Sequence, residues 1–203
     1  MRRSAAATRA KILESAYGLF FKRGYFRVGV EEIAAAAGIT KRTLYSHFDS
    51  KDALIGAVLQ QQHERAQETI ERRAQSLSAA SPAAVDRLFA ELAAWAAKPR
   101  WAGAGFTRIA MELADLRGHP ARVIARKHKQ AVEDQLAQTL GSREAAMKLM
   151  LLLEGTMAML IISGDRRYAE TAAAAAKQLL AKAGREPGGA TPASAADSRR
   201  RAR

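Results

Sequence analysis

Between Thr40 and His47 the chain groups side chains that donate hydrogen bonds or carry positive charge: Thr40, Lys41, Arg42, Thr43, Tyr45 and His47. No nucleophile stands together with a base and an orienting group anywhere in the sequence, so no catalytic residue is assigned and the chain is read as no enzyme. The chemistry on offer is binding. Arginine suits a bidentate contact with guanine, and lysine suits the same acceptor edge. That use needs Lys41 and Arg42 at the exposed start of a helix that enters a groove of duplex DNA, because residues there reach base edges while later ones meet the backbone.

The flanking residues supply such a helix. Glu31 to Ala37 favour a first helix, with Ile33 and Ala37 one turn apart, and Gly38 stands where a left-handed residue ends it. Ile39 packs the turn, and the Thr40 hydroxyl caps a second helix running through Arg42, Leu44 and Phe48. Two helices joined so closely cross steeply. Ala34 is small enough to let the second helix approach, and Ile33, Ile39 and Leu44 form a shared core, which leaves Lys41, Arg42, Thr43, Tyr45 and His47 facing outward. Before this pair, a helix capped by Thr8 and ended by Gly24 offers the supporting stripe Ile12, Ala16, Leu19 and Phe20.

From Ile12 to Lys51 the elements A-x-x-L-F, G-Y, I-A-x-x-A-G-I-T, L-Y-x-H-F and K-x-x-L, in this order, resemble the N-terminal domain of TetR-type transcriptional regulators. The resemblance implies an all-α chain of about nine helices, in which a three-helix helix-turn-helix domain precedes a helical ligand-binding and dimerisation domain. It further implies double-stranded operator DNA as a partner, a homodimer, repression released by a small-molecule effector, and phosphate contacts from Thr40, Thr43, Tyr45, His47 and Lys51. The chain departs from the family pattern in two places. Val28 and Gly29 stand where related proteins commonly have threonine or serine, which leaves the amides of Val30 and Glu31 to meet a phosphate. Arg42 stands where they often have a small residue. Glu31 and Glu32 complement the helix dipole but lie close to where DNA would be.

Charge agrees with an anionic partner at this end. The formal net charge is +13. Residues 1–51 hold ten basic and four acidic side chains, and residues 184–203 hold five and two, whereas 52–183 hold eighteen and fourteen. Phosphate neutralisation by such basic surfaces supplies most sequence-independent DNA affinity, and a non-specific basic DNA-binding protein is the alternative reading. With Cys at 0, disulfides and thiolate metal sites are excluded. A reducing cytoplasm suits that composition. No signal peptide is read at the N-terminus, and the apolar run from Leu149 to Ile162 is read as too short for a bilayer, so no membrane partner is expected.

The remainder divides into a body, 52–183, and a tail, 184–203, whose proline, glycine, serine and alanine imply disorder and whose arginines keep it basic. Ser50 caps a helix through Leu54 and Val58 to about Arg73, which the resemblance makes the link between head and body. Ser81 and Pro82 open a helix with the stripe Val85, Leu88, Phe89, Leu92 and Trp95. Trp95, Trp101, Phe106 and Met111 can wall a mostly apolar ligand pocket, and core packing accounts for them equally well. His128, on the stripe Ile124, Val132, Leu136 and Leu140, is either a satisfied boundary residue or a pocket contact. No metal is expected there, since no second histidine or carboxylate lies at i+4 on its face, and no cofactor is expected elsewhere. Arg108 and Glu112 are spaced as a surface ion pair, with an effector-binding pair as the alternative. A helical-bundle enzyme using Glu112, His119 or His128 is the remote reading. Ser142 opens a helix that is apolar nearly all round and must be covered on two sides, and an alanine-rich helix follows from Arg167. The resemblance makes these two, about 142–183, the homodimer interface.

Overall fold

In the computed structural model of the chain, the described residues are 4–78, 81–99, 101 and 103–183. The expected tail at 184–203 and the basic residues Arg2 and Arg3 lie outside them. Nine α-helices and no strand occur among the described residues.

The first helix, α1 (Ala5–Arg23), begins earlier than expected. Ser4 caps it by accepting from the Ala7 amide, while Thr8 sits inside the first turn and donates its hydroxyl to the Ser4 carbonyl. Ala5 to Ala7 are strong helix formers, so the serine upstream of them takes the capping position. Next come α2 (Val30–Ala37) and α3 (Lys41–Tyr45), which complete the head. The long α4 (Lys51–Gln75), capped by Ser50, leads to α5 (Pro82–Ala96), α6 (Gly105–Glu112), α7 (Pro120–Leu140), α8 (Arg143–Ser163) and α9 (Arg167–Ala183).

Two apolar cores result. One gathers Ile12, Phe20, Ile33 and Leu44 of the head, continues through Leu54 and Val58 of α4, and takes in Ile109 and Leu113 from α6 and its end. Apolar packing therefore runs without a break across the position between residues 51 and 52. The other core joins α5, α8 and α9 through Val85, Phe89, Leu149 and Ala176, with Leu77 beneath the end of α4. Between them α4 lies along α7, and Gly56 admits Pro120 so closely that a Cβ would stand 3.0 Å from the proline's Cβ.

Helix α8 corrects one expectation. Its 21 residues are long and apolar enough to cross a membrane by length and composition, because Ala145 and Ala146 extend the apolar run toward the N-terminus. In this fold it packs instead against α7 and α9, with Leu149, Thr156 and Leu160 buried and Glu154 ion-paired to Lys129 of α7. Its opposite face stays bare in the single chain, where Leu151 is 72% and Ile162 76% exposed, with Met147 and Ile161 beside them.

Candidate nucleic-acid interface and ligand cavity

The turn between α2 and α3 is closed by backbone geometry. Gly38 adopts φ 63°, ψ 42° and donates its amide to the carbonyls at the end of α2, while Ile39 donates to Ala34 at 3.0 Å. This left-handed C-cap is a conformation that glycine adopts without a side-chain clash. Thr40 then accepts from the Thr43 amide at 3.1 Å, and the two threonine hydroxyls lie 2.9 Å apart. With Leu44 fully buried as the anchor, Lys41, Arg42 and Tyr45 are exposed, and Thr43 on α3 and His47 in the turn after it are half-buried.

Two of the expected contact residues are already engaged. Lys41 Nζ is ion-paired to Glu31 on the first turn of α2, and each partner favours the other's charged form through that hydrogen bond. Lys51 is half-buried with its ammonium 4.1 Å from the centre of the Tyr25 ring, and burial lowers its pKa. Gly29 precedes α2 with no side-chain cap, so the start of that helix offers backbone amides only.

The base of the head is gripped by the body, through residues the sequence reading assigns differently or passes over. Arg108 and Glu112 do form an i,i+4 pair, but both reach across to the end of α1 and the turn after it: Arg108 Nη1 donates to the Phe21 carbonyl at 3.0 Å, and Glu112 accepts from the Tyr25 amide at 2.7 Å. Two glycines make room. Gly24 holds φ 87°, and a Cβ there would stand 2.7 Å from Glu112 Oε1. A Cβ on Gly105 would stand 1.8 Å from the Phe21 ring, so that ring seats directly on the start of α6. Nearby, the Tyr25 hydroxyl donates to Asp52, whose carboxylate is held below its usual pKa by that bond, while burial pushes the phenol up. His119 caps α7 by accepting at Nδ1 from Ala121, which puts its remaining proton on Nε2, 3.4 Å from Asp52.

In the body, α4, α5, α7 and α8 enclose a cavity of about 280 Å³. Trp95 and His128 line it; Trp101 packs edge-on against Trp95 at 5.4 Å. Phe106 stacks on His128 at 3.7 Å and lines a shallower groove between α6, α7 and α8. Met111 belongs to that groove as well and is 71% exposed, so the structure separates it from Trp95. His63 of α4, missed in the sequence, meets His128 with their Nδ1 atoms 3.4 Å apart. The only sequence signal for it is its position one turn after Leu59 on the face of α4 that the body covers. Burial lowers the pKa of His63, and burial followed by the Lys129 charge lowers that of His128 to about 4. No group of three or more metal-ligating side chains occurs among the described residues.

A capped helix-turn-helix head clamped to a helical body with an internal cavity defines the architecture of a helix-turn-helix regulator. Residues 12–58 match the family described as "Bacterial regulatory proteins, tetR family". The transcriptional regulator TtgR of Pseudomonas putida is 43% identical over 60 residues, which span 30% of this chain and 29% of that protein. Over nearly the whole fold, the crystal structure of SCO4454, a TetR-family transcriptional regulator from Streptomyces coelicolor, superposes with a TM-score of 0.70 at 25% identity, covering 88% of this chain and 96% of that one. The multidrug binding protein EbrR, solved with ethidium, superposes with a TM-score of 0.65 at 24% identity over 85% of this chain and 98% of its own. Residues 12–58 therefore carry a tetR-family N-terminal domain, and the described fold as a whole is similar to that of TetR-family regulators.

Proposed function

We propose that the protein is a homodimeric transcriptional regulator, a repressor, whose head (1–51) reads double-stranded operator DNA and whose body (52–183) releases it on binding a small molecule. The observation that carries this reading is α3: a short helix capped by Thr40, anchored by Leu44, and presenting Lys41 and Arg42 at its exposed start. Those two read bases, while Thr40, Thr43, Tyr45, His47 and Lys51 serve the phosphates. The bare apolar stripe of α8 is the face that a second copy covers with α8 and α9. Two heads held this way enter successive major grooves of a roughly palindromic site, about 34 to 36 Å apart for half-sites one turn apart. EbrR binds ethidium, which supports a small-molecule effector here, and the body's cavity lined by Trp95 and His128 is the candidate site. A cytoplasmic location follows from a DNA partner.

Selection of bound sequences from a random DNA pool tests the reading. A defined, near-palindromic consensus is expected, and Arg42→Ala should weaken binding to it by about 1–3 kcal/mol while relaxing one base position. Retention of random and selected DNA alike would leave charge alone as the basis of binding. A concentration-independent single-chain mass in light scattering would rule out the dimer.

A further inference from the structure

The cavity is open to solvent on one side but nearly neutral within. Its interior charge is one ion pair, Lys129 with Glu154, and the second Glu154 oxygen already accepts from the Thr107 hydroxyl at 2.7 Å. Among the described residues lining the cavity, the other ionic side chains are Arg73 and Glu91, opposite in sign and both exposed. The rest of the wall is mainly apolar, with Leu88, Leu92, Val132 and Met150 facing the space. His128 adds a neutral imidazole, because burial and the nearby lysine suppress its protonation. Its Nδ1 faces that of His63, an arrangement in which two neutral rings share one proton. Its Nε2 makes no hydrogen bond among the described residues, which leaves it for a ligand.

A charged ligand entering this space would lose hydration, and the counter-charges outside the Lys129–Glu154 pair, Arg73 and Glu91, are exposed and screened by solvent. If it displaced Lys129 from Glu154, it would leave one half-buried charge unpaired for each that it satisfied. The volume also lies just below the usual range of ligand pockets, which starts at roughly 300 Å³. We propose that the cavity takes an uncharged, mostly apolar molecule of one or two rings, with a single hydrogen-bonding group that meets His128, and that it rejects ionised analogues of the same shape. The inference rests on reading this cavity as the effector site.

Calorimetric titration of the full chain at neutral pH tests it with three probes that share one body: para-tert-butylbenzyl alcohol, para-tert-butylbenzylamine and para-tert-butylbenzoate. The alcohol is expected to bind about tenfold or more tightly than either ion. Lys129→Met strands the Glu154 carboxylate and should raise amine affinity about tenfold, and Glu154→Gln strands the ammonium and should do the same for the carboxylate. Equal binding of the three probes to the unaltered protein overturns the proposal, and so does binding of none. An unchanged order of affinities in both variants, each first shown to melt cooperatively, overturns it as well. Because the series uses no DNA, failure here leaves the operator reading untouched. Failure to select an operator likewise leaves the charge preference of the cavity standing.

Discussion

At the reading end, polar contacts close over short stretches of chain: Thr40 caps the amide of Thr43, and Lys41 meets a carboxylate ten residues back on α2. At the joint between head and body the partners are remote, Tyr25 and Glu112 lying 87 positions apart in the chain and Phe21 and Arg108 the same. The first set forms as soon as two helices do, and it travels with the head as a unit. The second set exists only while α6 lies against α1. A change in the body can therefore reach the head through the joint without altering the shape of the reading surface. Glu154 and Thr107 join the cavity wall to α6 one residue away from Arg108, so the path from cavity to head is short.

The contrast can be broken at either end. Leu44→Ala should have the largest effect, about 2–5 kcal/mol of stability in urea unfolding, because its side chain is the fully enclosed anchor of α3. Hydrogen exchange should localise that loss to the head; equal loosening of α7 would show the reading end to be less self-contained than its contacts make it. Gly105→Ala should cost about 1–3 kcal/mol by driving the Phe21 ring off its seat. Unchanged thermal melting of that variant would show that Phe21 has room to move aside and that the joint is loosely fitted.

A pH series sharpens the comparison further. His128, on the α4–α7 contact, has its pKa lowered from the ordinary 6.5 to about 4, so between those values the unfolded chain binds a proton that the native chain refuses. Its contribution is complete above pH 6.5 and declines as pH falls toward 4. His63 is shifted the same way, and Lys127, Lys129 and Glu64 are the charges that face the pair. His128→Phe should flatten the stability–pH curve in that window; an unaltered slope would assign it to other groups. The smallest effect on stability belongs to Glu31→Gln, whose ion pair with Lys41 lies on the exposed surface. Its melting temperature should stay put while DNA affinity rises, and unchanged affinity in a filter-binding titration would mean that Lys41 does not turn to DNA.

The same division governs what could be read from the sequence. The left-handed Gly38, the Thr40 cap and the Ile33–Leu44 core are legible because each depends on residues a few positions apart. Arg108 and Glu112 have the spacing of a surface pair, and nothing local says that α1 lies across them. His128 reads as solitary for the same reason: its neighbour His63 comes from α4, and only the α4–α7 packing brings them together. Ser4 as the first cap could have been read locally, from the alanines between it and Thr8. The start of α8 is legible in the same local way, from the Ser142 cap.

The chain contains two tryptophans, Trp95 and Trp101, and they touch each other at the cavity. The head has none. All indole emission therefore originates from the body, so the unlabelled protein carries an optical probe placed at the cavity and remote from contacts made directly on α3. Any emission change on adding DNA would consequently be a signal that had crossed the joint.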